Sequence, residues 1–435
     1  MITYIISFLT IVLIILSLLF LPEVKIGKKS VSLYWVISLV GAILLIILGT
    51  TPIKSVFEAL TKQTEINPLK LLIIFFSMTV LSVFLDEMGF FRYMANITLK
   101  KSKSSQKKLF LLIYVMVSVL TVFTSNDIII LTFTPFIIFF SKNAKINPLP
   151  YLIAEFVSAN TLSMALIIGN PTNIYIAQSL GIGFFEYFKI MFLPCILSSV
   201  AGYFILRFVF KKELKKEIEP TFEDVKMGDK FLVTLAIIHL ALCIIILSVS
   251  SFLALEMWYI CLGFAISLIT ISLIYTILLK KSFEIFKKVL IRLPFELVPF
   301  VLSMFVIVLA LTTMGVPEKM AEFLGENSTV FTYGISSFLC ANLINNIPMS
   351  LFFVEVLNHL NSNIPGGVFA SIIGSNIGAY LTPIGALAGI MWLKILKKQN
   401  IKLSFLDFMK YGVMVSIPVI IVALGGLTLS LMIFG

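Results

Sequence analysis

Four short polar clusters interrupt an otherwise apolar chain, and their side chains are of the kinds that bind ions and small polar solutes. The clusters are "TSND" (124–127), "GNPTN" (169–173), "NLINNIP" (342–348) and "LTPIG" (381–385). Amides, hydroxyls and one carboxylate can coordinate a cation or hydrogen-bond an oxyanion. Breaking a helix inside a membrane also frees backbone N–H and C=O groups, which is tolerated only where protein, water or a ligand satisfies them. The clusters therefore predict a binding site built from helix ends.

The candidate ligands come from all four clusters and from two asparagines in the helical arms that precede the breaks. The predicted substrate- and ion-binding residues are Ser125, Asn126, Asp127, Asn160, Gly169, Asn170, Thr172, Asn173, Asn345, Asn346, Asn376, Thr382 and Gly385. Asn160 and Asn376 either bind the solute or form interhelical hydrogen bonds, which polar residues in membranes often do. Gly169 and Gly385 are expected to allow unusual backbone angles.

The positions of proline and asparagine predict how the helices restart. Pro171 and Pro383 are expected to be equivalent and to end the preceding arm, because proline removes a donor and restricts the residue before it. The pairs 126–127 and 345–346 are expected to cap the second arm of each hairpin. A free helix N-terminus favours an anion, whereas freed carbonyls and Asp127 favour a cation. One site can therefore hold a substrate and a coupling ion.

Acidic residues are scarce in the apolar segments. Asp127 is the only acid within a break and, since intramembrane charges are costly, it is the leading candidate for proton or sodium coupling. Glu155 begins a broken helix near the predicted cytoplasmic interface, where it is either a solvated acid or part of a relay. Asp86 and Glu87 are expected to shape the turn into the next amphipathic stretch.

Composition places the chain in a membrane. Its 435 residues are 59% hydrophobic and 13% charged, with a mean hydropathy of +1.08, far more apolar than a soluble domain. The long apolar runs lack period-two alternation, so they predict helices and exclude a barrel. Four scattered cysteines and two histidines form no disulfide framework or metal-ligand pattern, and no intramembrane-enzyme constellation or phosphate-binding loop is present. The sequence therefore predicts a non-enzyme with no cofactor other than a coupling proton or sodium ion.

Run lengths predict ten crossings and two re-entrant hairpins. The crossings are about 2–21, 32–50, 69–85, 150–185, 187–206, 232–250, 258–279, 296–314, 366–393 and 411–433, of which 150–185 and 366–393 are broken. The stretches 109–140 and 330–357 are split by polar clusters into arms of about 12 to 15 residues, which suit hairpins. The apolar N-terminal run lacks a basic flank and is expected to be the first crossing.

Basic residues test this arrangement, because they are in excess on the cytoplasmic side. The loops on one predicted side carry 27 lysines and arginines, and those on the other carry three. This asymmetry predicts a multi-pass cell-membrane protein with both termini outside the cytoplasm. It also accounts for the net charge of +11 without a nucleic-acid partner.

The two halves of the chain read alike. Each has three helices, an amphipathic stretch (89–101 or 316–325), a hairpin, a broken helix and a last helix. Five crossings per half force the second copy to insert upside down, and inverted repeats with broken helices are typical of secondary transporters. The predicted fold is an all-α membrane protein with repeats at 1–210 and 232–435, joined by a cytoplasmic linker at 211–231.

Several motifs resemble the arsenite permeases (arsenical pump membrane proteins) of the ion transporter superfamily, which also includes citrate and divalent-anion symporters and sodium/proton antiporters. They are "FLDEMGFF", "SNDIIILTFTP", "GFFEYFKIMFLP", "NNIPMSL" and "LTPIGALAGIMWLKILKKQNIKLSF". The resemblance implies a carrier driven by an ion-motive force, with a scaffold domain and a moving transport domain. By position, 126–127 match the family's "ND", 345–346 its "NN" and 382–385 its "TPIG".

The chain also departs from the arsenite permeases. It has Asn160 and Asn376 where they usually have aspartate, and its "GNPTN" is similar to the "GTPPN" break of the anion symporters. The first hypothesis is arsenite or antimonite efflux. The alternatives are a sodium- or proton-coupled carboxylate transporter, a sodium/proton antiporter and, from another class, a channel, which the mirrored hairpins disfavour. The expected partners are a small solute, a coupling ion, the lipid bilayer, a second copy of the chain and, for an arsenical pump, a separate ATPase subunit.

Overall fold

A computed structural model describes residues 1–21, 23–26, 29–61, 67–102, 105–216, 227–250, 253, 255–361 and 364–435. Much of the predicted linker, residues 217–226, lies outside the described residues. The repeat boundaries at 210 and 232 stay a prediction.

The first half contains ten helices and one antiparallel pair of short strands within the described residues. They are α1 (Ile2–Phe20), β1 (Glu23–Ile26), β2 (Lys29–Ser32), α2 (Leu33–Ile47), α3 (Ile53–Thr61), α4 (Pro68–Glu87), α5 (Phe90–Ser102), α6 (Gln106–Phe123), α7 (Asn126–Asn143), α8 (Leu149–Leu162), α9 (Pro171–Ser179) and α10 (Phe184–Val209). Glu23 pairs with Ser32 and Ile26 with Lys29.

The second half repeats this order of helices. It contains α11 (Lys230–Ser248), α12 (Met257–Leu278), α13 (Glu284–Arg292), α14 (Leu297–Thr313), α15 (Val316–Leu324), α16 (Thr329–Ile344), α17 (Asn346–Leu357), α18 (Ile364–Gly378), α19 (Leu387–Lys398) and α20 (Phe405–Phe434). Single 3-10 turns cover Ile167–Gly169, Glu213–Lys215 and Pro383–Gly385. The predicted all-α class of membrane fold is confirmed, and the strand pair β1–β2 and the short helices α3 and α13 are additions to the predicted elements.

Helix contacts recur with the two halves exchanged. The helix α2 packs on α14 while α12 packs on α4, and α7 packs on α19 while α17 packs on α9. The last helices of the halves, α10 and α20, pack on each other. This pattern brings the hairpin of each half against the broken helix of the other. The inverted orientation of the halves in a bilayer stays a prediction.

The helices are apolar enough for a bilayer and expose apolar side chains. Among the described residues, seven helical segments are long and apolar enough to cross a membrane. Their outward faces carry residues such as Ile238, Ile245, Ile266 and Ile274, while α8 is buried almost throughout. An apolar surface over a polar-containing interior is the arrangement that lipid requires.

Both predicted hairpins are two helices joined at a polar turn, but the first has longer arms than expected. The helices α6 and α7 have 18 residues each, against 16 for α16 and 12 for α17. Lys107, Lys108 and Lys142 lie in the end turns of these helices and are exposed. The predicted arms were too short because they stopped at charged residues, which a helix end tolerates where it reaches polar surroundings.

Candidate functional site

A cavity of about 420 Å³ lies where four helices begin. Asn126, Pro171, Asn346 and Leu387 are the first residues of α7, α9, α17 and α19, and all four line the cavity. The first N–H groups of a helix lack partners within the helix, and its N-terminus carries a partial positive charge. The hairpins and broken helices of both halves therefore present hydrogen-bond donors to one space.

One wall of the cavity combines an acid with unsatisfied polar atoms. Asp127 lines the cavity and is half-buried. Beside it, Ser125 Oγ and Asn126 Oδ1 are buried and have no hydrogen-bond partner among the described residues. Asn126 Nδ2 donates to Asn160 Oδ1 at 2.9 Å, which holds the amide in place. Because unpaired buried polar atoms are unfavourable, this wall is suited to a hydrogen-bonding ligand.

Asn376 lies in a buried network behind the cavity. Its Oδ1 accepts from Ser163 Oγ at 2.8 Å and from Asn170 Nδ2 at 3.0 Å. Its Nδ2 donates to Asn173 Oδ1 at 2.7 Å and to the Ile372 carbonyl at 2.8 Å. The side chain thus has all its strong hydrogen-bonding groups satisfied by protein. Asn376 therefore links α18, the helix before the second break, to the residues of the first break.

Three other predicted residues also have protein partners. Thr172 Oγ1 accepts from Ser375 Oγ at 3.0 Å, and Thr382 Oγ1 donates to Asn342 Oδ1 at 2.7 Å. Asn345 Nδ2 donates to a backbone carbonyl of the 3-10 turn in the second break at 2.9 Å. Of the predicted set, the residues that line the cavity are therefore Ser125, Asn126, Asp127, Asn170 and Asn346.

The glycines at the breaks permit close backbone contacts, and the expectation of unusual backbone angles is wrong. The φ angles of Gly169 and Gly385 lie outside the left-handed region. A Cβ on Gly169 would lie 2.2 Å from the carbonyl oxygen of Ser163, and one on Gly385 would lie 2.4 Å from that of Gly378. Each chain break folds back so tightly on its own preceding arm that only glycine fits.

The two prolines are not equivalent, contrary to the prediction. Pro171 is the first residue of α9, whereas Pro383 begins a 3-10 turn and α19 starts later, at Leu387. Both sites suit proline because the first residue of a helical turn does not need its N–H group. Leu387 is the counterpart of Pro171. Each residue begins a helix and lies two positions after the glycine that ends a 3-10 turn.

The predicted capping is also only partly correct. Asn345 is the N-cap of α17, and its side chain accepts a hydrogen bond from the Ile347 N–H at 3.3 Å. Asn126 and Asp127 lie inside the first turn of α7, and the N-cap residue Ser125 makes no side-chain capping bond. The side chains of Ser125, Asn126 and Asp127 are consequently not used to cap α7, and the Asn126 amide instead bonds Asn160.

Sequence reasoning missed an ionic cluster beside the site. Arg292 Nη1 lies 2.6 Å from Asp86 Oδ2 and 2.7 Å from Glu87 Oε1. Thr132 Oγ1 on α7 donates to Asp86 Oδ2 at 2.7 Å. The sequence showed the two acids at the end of a helix, but no local pattern indicates a partner from the other half.

This cluster stands between two cavities. A second cavity of about 440 Å³ is lined by both acids, Arg92 and Thr132, and shares Leu131, Arg292 and Met391 with the first. The three shared residues therefore form the wall between the cavities. Opening this wall would connect the candidate site to the second space.

The charged side chains at the first cavity are mainly acidic. Among its described lining residues, Arg292 is the only basic side chain, and its charge is shared with two acids. Glu296 also lines the cavity and accepts from Tyr34 Oη at 3.3 Å. Within the described part of the chain, no group of three or more histidine, cysteine, aspartate or glutamate side chains is arranged to hold a metal ion.

The chain is similar to known membrane transporters over most of its length. It is 28% identical over 376 residues to the arsenical pump membrane protein of Escherichia coli, covering 82% of this chain and 85% of that protein. It is 24% identical over 408 residues to a putative arsenical pump membrane protein of Bacillus subtilis, covering 86% and 89%. A 46 kDa membrane protein of Mycobacterium leprae is 24% identical over 91% of this chain and 92% of its own.

The fold has a solved counterpart. The YdaH transporter of Alcanivorax borkumensis superposes with a TM-score of 0.50 at 11% identity, covering 100% of this chain and 97% of its own. The sequence profile of the citrate transporter (CitMHS) family matches residues 11–367. The predicted resemblance to the arsenite permeases and their superfamily is confirmed, as is a transporter in place of an enzyme. The chain is a multi-pass membrane transporter that belongs to the citrate transporter family.

Proposed function

We propose that the protein is a secondary active transporter of a small anion or metalloid, with arsenite or antimonite efflux as the first candidate. The observation that carries the proposal is the cavity at the start of four helices. It contains the Asp127 carboxyl group and the unpartnered atoms Ser125 Oγ and Asn126 Oδ1. The relatives that are named arsenical pump membrane proteins support this first candidate.

The charges at the cavity favour a neutral hydroxylated solute over a highly charged anion. Arsenous acid, As(OH)3, has hydroxyl groups that can donate to Asp127 and accept from helix N–H groups. A multiply charged anion would be repelled by Asp127 and Glu296 unless a cation entered with it. Among the described residues that line the cavity, the one basic side chain is Arg292, and it is already paired.

A sodium- or proton-coupled carboxylate transporter is the second candidate. The family match and the four helix N-termini favour it, because N-terminal dipoles stabilise carboxylates. In this case Asp127 would bind the coupling cation beside the substrate. A sodium/proton antiporter would use the same acid without an organic substrate.

The proposed transport domain comprises the hairpins and broken helices, α6–α9 and α16–α19. The remaining long helices would form the scaffold, and a second copy of the chain would complete the assembly. Both termini would lie outside the cytoplasm, as the distribution of basic residues predicts. Movement of the transport domain would expose the cavity alternately to the two sides. For an arsenical pump, a separate ATPase subunit is a further proposed partner.

Arsenite accumulation in energised inside-out vesicles tests the proposal. The variants Asp127→Asn, Asn126→Ala and Ser125→Ala each change one group at the cavity. Asn143→Ala is the matched control, because Asn143 is an exposed asparagine at the far end of α7. We expect accumulation by the native protein and the control, and its loss in the Asp127 and Asn126 variants at equal membrane levels.

The same vesicles separate the two candidates. If arsenite does not accumulate but citrate or a dicarboxylate does when a sodium gradient is imposed, the carboxylate function replaces the first candidate. If the cavity variants transport as well as the Asn143 control, the proposed site is wrong.

A further inference from the structure

Glu155 is a second acid in the protein interior, and the candidate site does not include it. Its exposed fraction is 0%, and it lies in the middle of α8, where a solvated acid is excluded. Thr134 Oγ1 lies 3.1 Å and 3.0 Å from its two carboxyl oxygens. Because one hydroxyl group has one hydrogen, it cannot satisfy both oxygens of a carboxylate.

The indole of Trp392, on α19, faces the Glu155 carboxyl group. Its buried Nε1 lies near the acid but makes no well-aligned hydrogen bond within the described residues. Phe156 packs against both Trp392 and Phe408, which closes the surroundings with aromatic rings. The Glu155 carboxyl group is therefore enclosed by the Thr134 hydroxyl group, the indole and aromatic rings.

Charged groups on the surrounding helices do not reach Glu155. On α6, α7, α10, α19 and α20, which pack around α8, they are Lys107, Lys108, Asp127, Lys142, Glu186, Lys189, Arg207, Lys394, Lys397, Lys398, Asp407 and Lys410. Asp127 lines the cavity, Lys394 pairs with Glu23, and the others are exposed. On α8 itself, Tyr151 Oη donates to Gln106 Oε1 at 2.8 Å. Within the described residues, no ion pair includes Glu155.

A buried carboxylate without a cation is strongly unfavourable, so the neutral acid is the form that fits these surroundings. The neutral acid can donate through its O–H and accept from Thr134. Sodium would need several oxygen ligands, and within the described structure the only side-chain oxygen bonded to the Glu155 carboxyl group is that of Thr134, since Ser158 Oγ bonds the Glu155 backbone carbonyl. The surroundings therefore suit a proton and do not suit a metal cation.

Glu155 also lies at the junction of the helices that build the candidate site. Thr134 is two turns after Asp127 on α7, and Asn160, which bonds Asn126, is on α8 with Glu155. The helix α19 begins at the cavity and carries Trp392. A change in the packing of these three helices at Glu155 would be transmitted to the helix ends that contact the solute.

We propose that Glu155 is the site of the coupling proton, separate from the solute cavity. It binds a proton as the neutral acid in the buried conformation, and it releases the proton as a carboxylate when α7 and α19 shift relative to α8, within the proposed transport domain, and expose it to water. The inference rests on the proposed transport function, and it assigns the proton and not sodium as the coupling ion.

Reconstituted vesicles with arsenite inside and outside can test the two steps separately. Exchange of labelled arsenite at equal pH reports solute binding and movement, whereas accumulation driven by a pH gradient, with a pH-sensitive dye inside, reports coupling. We expect Glu155→Gln to keep measurable exchange but to lose gradient-driven accumulation and proton movement at least tenfold. Glu186→Gln, an exposed glutamate on α10, is the control and should keep both activities.

Thr134→Val keeps the acid and removes its hydroxyl partner, so it remains informative if the glutamine variant does not fold. It should move the pH at which gradient-driven transport is half-maximal without abolishing exchange. The inference is overturned if Glu155→Gln retains accumulation and proton movement, or if Thr134→Val leaves the pH profile unchanged. If the native protein does not exchange arsenite, the proposed substrate is contradicted instead.

Discussion

Arg292, the last residue of α13, forms an ion pair with Asp86 on α4 at 2.6 Å, across the two halves of the chain. The Asp86 side chain is only 5% exposed, and the same guanidinium group contacts Glu87. Thr132, on the first hairpin, bonds the same Asp86 oxygen as Arg292. The cluster therefore joins two helices of the proposed scaffold to a helix of the proposed transport domain, and its arginine separates two cavities.

We predict that Arg292→Gln destabilises the protein by leaving Asp86 without its cation. Breaking a fully buried ion pair costs about 3–5 kcal/mol, and because the Arg292 side chain is 30% exposed, we expect a cost of about 1–3 kcal/mol here. Thermal unfolding in detergent should show a lower midpoint. The triple variant Asp86→Asn, Glu87→Gln, Arg292→Gln removes all three charges and should recover most of the loss. A triple variant as unstable as the single one would show that charge pairing is not the cause.

Close packing at the breaks leads to a second prediction. Gly169→Ala and Gly385→Ala each place a methyl group on a carbonyl oxygen, at 2.2 Å and 2.4 Å, so the break must shift. Overpacking of this kind costs about 1–3 kcal/mol. We expect lower thermal stability and loss of transport, because the moved segments begin the helices at the cavity.

Gly263→Ala provides the control for both variants. Gly263 is in α12, and a Cβ at this position would have no atom within 4 Å. The thermal stability and transport activity of the Gly263→Ala variant should match those of the native protein. Equal behaviour of all three variants would contradict the packing explanation.

Outside the membrane segments, Asp229 predicts a pH dependence of stability. Burial alone would raise its pKa, but Lys281, the Leu232 and Phe231 N–H groups and Tyr275 hold the pKa below the ordinary value of 3.8. A lowered pKa in the folded state means that the stabilisation is complete above the unfolded-state value and is lost as pH falls through the folded-state value.

Asp229→Asn should therefore reduce stability near neutral pH, by up to about 1 kcal/mol, because asparagine keeps the N-cap but removes the charge opposite Lys281. The difference should begin to shrink as pH falls through the ordinary value of 3.8, and it should vanish only below the lower folded-state pKa, where the aspartate is protonated in both states. Thermal unfolding midpoints over this range measure the difference. A difference that persists at low pH would exclude the ion pair as its source.

The fold was predictable from the sequence to the extent that it depends on local patterns. Run length and helix breakers predicted the two helix pairs and both broken helices, since bilayer thickness and backbone hydrogen bonding limit the solutions, whereas the re-entrant path of the hairpins stays a prediction. The site was less predictable, because tertiary packing decides which polar residues line the cavity and which are enclosed by protein. Asn376 and Asn346 are alike in sequence terms, yet one is enclosed by protein donors and acceptors and the other lines the cavity.

Long-range pairing explains what the sequence could not predict. Arg292 and Glu87 are 205 positions apart, so no local pattern connects them. Glu155 was assigned to a helix start near an interface because it follows a loop, but neighbouring helices bury it completely. In the same way, glycine is needed at position 169 because a backbone carbonyl oxygen lies against it in the folded chain, and the local sequence does not show this contact.

Asn376 is fully buried, and Asn376→Asp tests why an amide is needed at this position. The carboxylate keeps the acceptor for Ser163 and Asn170 but loses the donor to Asn173 Oδ1 and to the Ile372 carbonyl. Leaving buried acceptors unpaired costs about 1–3 kcal/mol each. Because the protonated acid can donate again, the variant should gain stability as pH falls, relative to the native protein.

Asn160→Asp is the matched comparison, since the Asn160 amide donates only to the Phe156 carbonyl of its own helix, at 2.8 Å. It loses one donor where Asn376→Asp loses two, so its loss of stability should be smaller. Thermal unfolding of both variants between pH 5 and 8 measures the order. If the Asn160 variant is the less stable, or if neither responds to pH, the donor hydrogen bonds of Asn376 do not hold the two breaks together.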